Sequence, residues 1–190
     1  MRVIGAFPGP VSVPRTSFAS CRLGAPMDFT IAVPLVHPPT AVQDAFLDPD
    51  FLAITGTLPK IGGAEVLELT RQGDTARLRM RYRFTAPLSR AVTAVIDPEK
   101  LTWVDDATFD LTAMRAEHVM QPDNYADRLE AAYVSTLAAD GSGTVWTVAG
   151  SLDVHAAFVG GKIATVIVDG LREHATAQGS MLDEWLTRRA

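Results

Sequence analysis

The sequence predicts an α+β domain: a curved, seven-stranded antiparallel sheet, two short helices after the first strand, and a long C-terminal helix packed across the concave face. Three observations predict it. Seven segments alternate apolar and polar residues with the period of two that a half-buried strand requires, and turn residues separate them. Two short stretches with helical spacing follow the first of these segments. The last stretch, roughly residues 159–188, projects onto a helix with one apolar and one charged face, so it has to lie along an apolar surface.

Composition bounds the class. With 190 residues, 47% of them hydrophobic and 21% charged, the chain is one globular domain and not a disordered or collagen-like one. A net charge of -5 and a pI near 5.3 provide no global positive field, so nucleic acid is not an expected partner. No apolar run approaches the ~18 residues that span a bilayer, so membrane insertion is not expected. The lone Cys21 excludes an internal disulfide framework and a zinc site built on several thiolates.

Residues 1–26 differ from the rest. They carry Pro8, Pro10, Pro14 and Pro26, the arginines Arg2, Arg15 and Arg22, and no acid. Prolines at this density prevent a continuous helix or strand, so the segment reads as a disordered or loosely draped extension, with 27–190 as the domain. Phe18-Ala19-Ser20-Cys21 resembles a lipoprotein cleavage box, but the prolines and Arg15 interrupt the apolar core a signal peptide needs. A cytoplasmic protein is therefore expected, with Met27 an alternative start.

From Asp28 the pattern is regular. Phe29, Ile31, Val33 and Leu35 alternate along one strand, which His37-Pro38-Pro39-Thr40 ends. Pro39 suits a first helical turn, and Val42, Ala45 and Phe46 recur at helical spacing. Asp48-Pro49 reads as a second N-cap followed by proline, opening a helix through Phe51, Leu52 and Ile54 that Gly56 closes.

A hairpin follows. If Gly73-Asp74 is a two-residue turn, Leu69 faces Leu78 and Leu67 faces Met80 on one side, with Glu68 opposite Arg79 on the other. Arg77, Arg79, Arg81 and Arg83 then form a stripe, read as a solvated face because the chain is acidic. Leu88 to Ile96 suggests a helical turn stopped by Asp97-Pro98. Strands are predicted over 101–109, 113–120, 128–138 and 144–155, the last two joined by Asp140-Gly141-Ser142-Gly143.

On the final helix Ile163, Val166, Ile167, Gly170, His174, Ala177, Met181 and Trp185 fall on one face. Lys162, Thr165, Asp169, Arg172, Glu173, Thr176 and Asp183 fall opposite.

This order of elements resembles the START-like superfamily, also called helix-grip or SRPBCC, over about Met27 to Leu186. Phe158-Val159-Gly160-Gly161-Lys162-Ile163, followed by Gly170-Leu171, is similar to the start of the last helix in uncharacterised START-like proteins of high-GC actinobacteria. The preference for arginine over lysine agrees with such a genome. The resemblance implies a cavity between sheet and helix that accepts lipids, sterols, polyketides or other apolar molecules.

Strand parity and helical projection nominate its walls. Leu101, Trp103 and Phe109 share a face, as do Met114, Ala116, His118 and Met120. Leu129, Ala131, Tyr133 and Leu137 face Trp146, Val148, Gly150 and Leu152, with Gly150 opposite Ala131 removing bulk. The expected ligand-binding residues are Trp103, Met114, His118, Met120, Tyr133, Trp146, Val166, Gly170 and His174. His118 and His174 are imidazoles on apolar faces, either satisfied by neighbours or available to a ligand. Asp105 points inward unless a bulge at Asp105-Asp106 turns it out.

No cofactor or metal is expected. His118, His174 and Asp105 lack ligand spacing, and Gly160-Gly161-Lys162 is not a P-loop because Ile163 stands where Ser or Thr is needed. No serine lies in a G-x-S-x-G context, so no Ser/His/Asp nucleophile is read from the sequence. The leading function is binding or carriage of a small apolar molecule without catalysis. A second is a cyclase or aromatase in which His118, His174, Tyr133 or Asp105 steers proton transfer. A third is an adaptor docking an acidic partner through Arg77 to Arg83.

Residues 1–26 contribute no periodic apolar face, so deleting them is expected to change stability by no more than a few tenths of a kcal/mol. A loss of several degrees in Tm would show that the segment packs on the domain.

Overall fold

A computed structural model describes residues 26–58, 60–85, 87–94, 97–156 and 160–189. The expectations about the N-terminal extension and about Phe158-Val159 fall outside these residues. Strand β1 (Met27–Leu35) buries Phe29, Ile31, Val33 and Leu35 on one face, as their alternation requires. Helix α1 (Pro39–Phe46) starts on a proline, and α2 (Pro49–Ile54) is capped by Asp48, whose carboxylate accepts the Asp50 N–H at 2.8 Å. A 3-10 turn over Thr55–Thr57 leads into β2 (Ile61–Gln72).

β2 pairs with β3 (Thr75–Phe84) through a turn in which Gly73 has φ 58°, a conformation that favours glycine. Leu69 faces Leu78 and Glu68 faces Arg79, as expected. Beyond that the register departs from expectation: an irregularity between Val66 and Glu68 puts Val66, not Leu67, opposite Met80. The predicted turn over Leu88 to Ile96 shortens to α3 (Arg90–Thr93), Ile96 lying outside the described residues.

Four further strands complete the sheet: β4 (Thr102–Asp110), β5 (Arg115–Pro122), β6 (Leu129–Asp140) and β7 (Gly143–Val154). All seven form one antiparallel sheet in the order β1-β7-β6-β5-β4-β3-β2. The β6–β7 register corrects the sequence reading. Asp140 pairs with Gly143 across a tight turn, so Gly150 faces Tyr133 and Ala131 faces Leu152. A Cβ at Gly150 would collide with the Ala132 carbonyl oxygen and the Tyr133 Cβ; the glycine seats the tyrosine and does not open a gap.

The arginine stripe lies on the outer face and is met by carboxylates. Arg77 donates to both oxygens of Asp106 at 3.0 and 2.7 Å and also pairs with Glu68. Arg79 pairs with Glu68 and Asp106, Arg81 with Glu65 and Asp123, and Arg83 with Glu99. The Asp106 carboxyl is held below the usual carboxylate range, first by its hydrogen bond from Arg77.

Helix α4 (Gly160–Thr187) crosses the opposite face. Ile163, Gly170 and His174 of the predicted stripe are buried as expected, but the buried side is turned so that it also takes in Ala164, Val168, Ala175 and Leu182, while Val166 is 39% exposed. Glycine sets this rotation. A Cβ at Gly179 would lie 2.6 Å from Val33 Cγ1 and 3.0 Å from Leu35 Cδ2, so only glycine lets the helix sit this close to β1. Beyond it the Val36 N–H donates to Asp183 Oδ1 at 3.1 Å, and Arg189 pairs with Asp48 and Asp50.

Val33 is β-branched and stiff, so it cannot swing away from an added methyl. Gly179→Ala is expected to destabilise the fold by about 1–3 kcal/mol, as overpacking does. Gly161→Ala, with nothing within 4 Å of the added carbon, is expected to stabilise it by up to ~1 kcal/mol. Urea unfolding of both variants checks the pair; a neutral Gly179→Ala would show that the helix is not seated on Val33.

Candidate functional site

Between α4 and the sheet lie two adjoining chambers. The outer one, about 460 Å³, is roofed by Ile163, Val166, Ile167 and Leu171 and floored by residues including Trp103, Met120, Leu129 and Val154. The inner one, about 120 Å³, continues under Leu171, His174, Ala175 and Gln178. Ile61, Trp103, Met120 and Leu171 belong to both walls.

The structure brings six of the nine predicted residues to the inner chamber: Trp103, His118, Met120, Tyr133, Trp146 and His174. Val166 lines the outer one. Two predicted residues line neither. Gly170 is buried beneath the Phe84 ring, whose Cε2 would lie 3.2 Å from an added Cβ. Alternation places Met114 in a strand, but β5 begins only at Arg115. Asp110 Oδ1 accepts the Thr112 and Ala113 N–H groups at 3.1 and 2.9 Å, and the turn so formed leaves Met114 at φ 51°. Its sulfur accepts from Gln43 Nε2 at 3.1 Å, so Met114 serves α1 and not the cavity.

Asp105 needs no bulge: it pairs regularly with Met80 and Met120 and faces the inner chamber. There it meets His118. In this sheet Ala107 lies opposite His118, and Ser135 lies opposite Ala116, so Asp105 and Ser135 are diagonal neighbours of His118 on either side. His118 Nδ1 lies 3.0 Å from Asp105 Oδ2, and its Nε2 lies 3.0 Å from Ser135 Oγ. The imidazole stacks on Tyr133 with centroids 4.3 Å apart and planes 13° from parallel, and meets Phe109 edge-on at 6.1 Å. His118 is thus satisfied by side chains of the two flanking strands while lying against open volume.

Two phenols complete the polar end. Burial, then the charge of Asp105, pushes the Tyr133 hydroxyl well above its ordinary range and raises Tyr82 likewise, so both remain protonated donors. Tyr82 donates to Met80 Sδ at 3.3 Å, and its ring meets His174 edge-on at 6.1 Å.

Sequence reasoning misses Ser135, Tyr82 and Gln178. The signal for Ser135 is present, since it shares inward parity with Tyr133 and Leu137. The G-x-S-x-G criterion describes a turn nucleophile and says nothing of a serine within a strand. Among the described residues no group of three or more His, Cys, Asp or Glu is placed to hold a metal. No helix among them is long and apolar enough to cross a membrane.

A family model described as "Protein of unknown function (DUF2505)" matches residues 28–186, and the chain belongs to that family. No curated protein matches. Among solved structures the chain is similar to TTHA0849 from Thermus thermophilus, with a TM-score of 0.62 and 16% identity, covering 86% of this chain and 99% of that one. The Zhui aromatase/cyclase from Streptomyces sp. R1128 gives a TM-score of 0.60 at 12% identity, covering 87% of this chain and 96% of that one. Ara h 8.0201 gives 0.52 at 14%, covering 83% of this chain and 99% of that one. At these identities the likeness is one of fold, the START-like, helix-grip architecture.

At the outer chamber, His155 Nδ1 lies 3.3 Å from the Asp127 carbonyl oxygen and Nε2 lies 3.1 Å from Asp153 Oδ2. The carbonyl contact first, and Asp153 after it, raise its pKa above the ordinary histidine value. A raised pKa in the folded state favours folding fully below the unfolded value of about 6.5, and that contribution is lost as pH rises through the folded value. His155→Gln is therefore expected to lower the urea midpoint below about pH 6.5 and to match the parent at more alkaline pH. A gap that does not depend on pH would contradict this.

Proposed function

We propose that this member of the DUF2505 family binds and carries a small, mostly apolar molecule with one polar end. The observation that carries the reading is the cavity under α4, with a roomy, mostly apolar outer chamber that has Lys100, Asn124, Arg128 and His155 in its wall, adjoining a small inner chamber where Asp105, His118, Tyr133, Ser135 and His174 gather. The outer volume of about 460 Å³ is within the range small-ligand sites occupy. Trp103, Met120 and Val166 would contact the apolar body. His118, Tyr133, Trp146 and His174 would surround the polar end. The lipid, sterol and polyketide classes all fit this description, and the common fold with Ara h 8.0201 and the Zhui aromatase/cyclase agrees with it.

A second reading, proton-transfer chemistry of the cyclase or aromatase sort, is favoured by the concentration of Asp105, His118, Tyr133 and His174 at one end of the cavity. The adaptor reading has less support. The arginines it relies on are engaged by Glu65, Glu68, Glu99, Asp106 and Asp123, so the stripe is largely neutralised within the protein.

Leu171 stands between the chambers, so Leu171→Trp should obstruct the cavity. Anilinonaphthalene sulfonate is expected to bind the parent with energy transfer from Trp103, and to bind Leu171→Trp about tenfold or more weakly, a loss of roughly 1.4 kcal/mol. Val119→Trp, on a side chain that is half exposed and lines neither chamber, is the control. Equal binding by Leu171→Trp and the parent, or no binding by either, would overturn the cavity reading.

A further inference from the structure

We propose that Asp105, His118 and Ser135 form a nucleophilic triad, with Ser135 taking up the acyl group of an ester whose apolar part occupies the outer chamber. The proposal rests on the cavity reading for the seating of that apolar part. Its own basis is the directed hydrogen-bond chain across β4, β5 and β6.

The chain has one sense. A carboxylate only accepts, so the 3.0 Å contact between Asp105 Oδ2 and His118 Nδ1 requires the proton on Nδ1. In the neutral ring Nε2 is then an acceptor, and the Ser135 hydroxyl donates to it at 3.0 Å. These are the roles of orienting acid, general base and nucleophile, recognised by geometry and not by position in sequence. The ring cannot readily turn out of line, because it is stacked on Tyr133 and bordered by Phe109. All three side chains line the inner chamber, so the serine end of the chain faces volume that a substrate carbonyl can enter.

In the reaction Ser135 Oγ attacks the ester carbonyl carbon while His118 Nε2 takes the hydroxyl proton. The ester C–O bond then breaks and the departing alkoxide takes that proton from His118, leaving an acyl-serine. Water attacks the acyl carbon and gives a proton to His118; the bond between the acyl carbon and Ser135 Oγ then breaks, and His118 returns the proton to Oγ as the acid leaves. Ester and water become acid and alcohol, with no redox change. The Tyr82 hydroxyl, whose partner is the weakly accepting Met80 sulfur, is a donor on offer to a carbonyl oxygen in the same chamber.

The test is a fluorophosphonate carrying a short alkyl chain, followed by peptide mass spectrometry of the full chain. Ser135 is expected to be phosphonylated in preference to every other serine, and Ser135→Ala to abolish that label. His118→Gln should slow labelling by about a hundredfold or more, since the base is lost. Asp105 acts through His118 as a positioning residue. Its readout is a low-field proton resonance from His118 Nδ1–H that Asp105→Asn removes. A parent that takes no label at Ser135, or a His118→Gln variant that labels at the same rate, overturns the triad. Anilinonaphthalene sulfonate binding by the same parent sample keeps that failure distinct from failure of the cavity reading.

Discussion

The close seat of α4 on β1 at Gly179 is the contact on which the cavity depends. The missing side chain lets the helix backbone approach Val33 and Leu35, and the interactions of Val36 with Asp183 and of Arg189 with Asp48 and Asp50 hold the C-terminal half down. Leu182, fully buried in the same half, adds about 1.5–3 kcal/mol of apolar burial. A 28-residue helix is stiff, so anchoring one half to the sheet edge fixes the path of the other. At its other end the helix is seated at Gly160, where an added Cβ would lie 2.5 Å from the Val154 carbonyl oxygen; between the two seats it passes over the curved sheet without filling the space beneath it, and the outer chamber is the space that remains. A helix held equally close along its whole length would leave a packed core and no site.

The polar end of that space follows from cross-strand adjacency. Antiparallel neighbours on one face come within side-chain reach diagonally as well as directly, so three strands deliver a carboxylate, an imidazole and a hydroxyl to one place although they lie 13 and 17 residues apart in sequence. An imidazole buried without partners would cost several kcal/mol, and a carboxylate more. Here Asp105 Oδ2 and the serine hydroxyl satisfy the two ring nitrogens. The outer face of the same strands carries an ion-pair network, with Asp106 beside Asp105 in sequence but turned to Arg77 and Arg79. Two adjacent aspartates thus belong to opposite faces because successive residues of a strand alternate.

Much of this is legible in the sequence, and the exceptions have physical causes. The element order, the inward face of β1, the Asp48 cap, the Glu68–Arg79 pairing and the inward placement of His118, Tyr133 and Trp146 all follow from local periodicity and turn chemistry. Register across β6 and β7 escapes the sequence because it depends on which residues close the turn at Gly141-Ser142, and composition alone does not choose among them. The α4 stripe is rotated from its projection because hydrophobicity ranks glycine as neutral, whereas at Gly179 its smallness decides which side approaches the sheet. Alternation carries Met114 into a strand, and an Asp110-capped turn interrupts it. Ser135 goes unread because its meaning lies in two neighbours from other strands, and a sequence motif search sees neither.

The hydrogen-bond chain of Asp105, His118 and Ser135 also bears on what the cavity can hold. Since Asp105 Oδ2, His118 and Ser135 hydrogen-bond to one another, an apolar ligand can occupy the outer chamber without breaking the chain, while Asp105 Oδ1 stays a buried acceptor without a hydrogen-bond partner. A ligand bearing a carbonyl gains a donor at the serine and at the Tyr82 hydroxyl. An acceptor that approached the Asp105 side would meet a carboxylate and be repelled, whereas Ser135 lies at the end of the chain that can exchange partners. The wall of Ile61, Trp103, Met120 and Leu171 supports the same orientation, because a polar group left among these side chains would be desolvated without a partner. The donors at Ser135 and Tyr82 favour the insertion that puts a carbonyl in the inner chamber, which is the direction that brings an electrophilic carbon to the serine end of the hydrogen-bond chain.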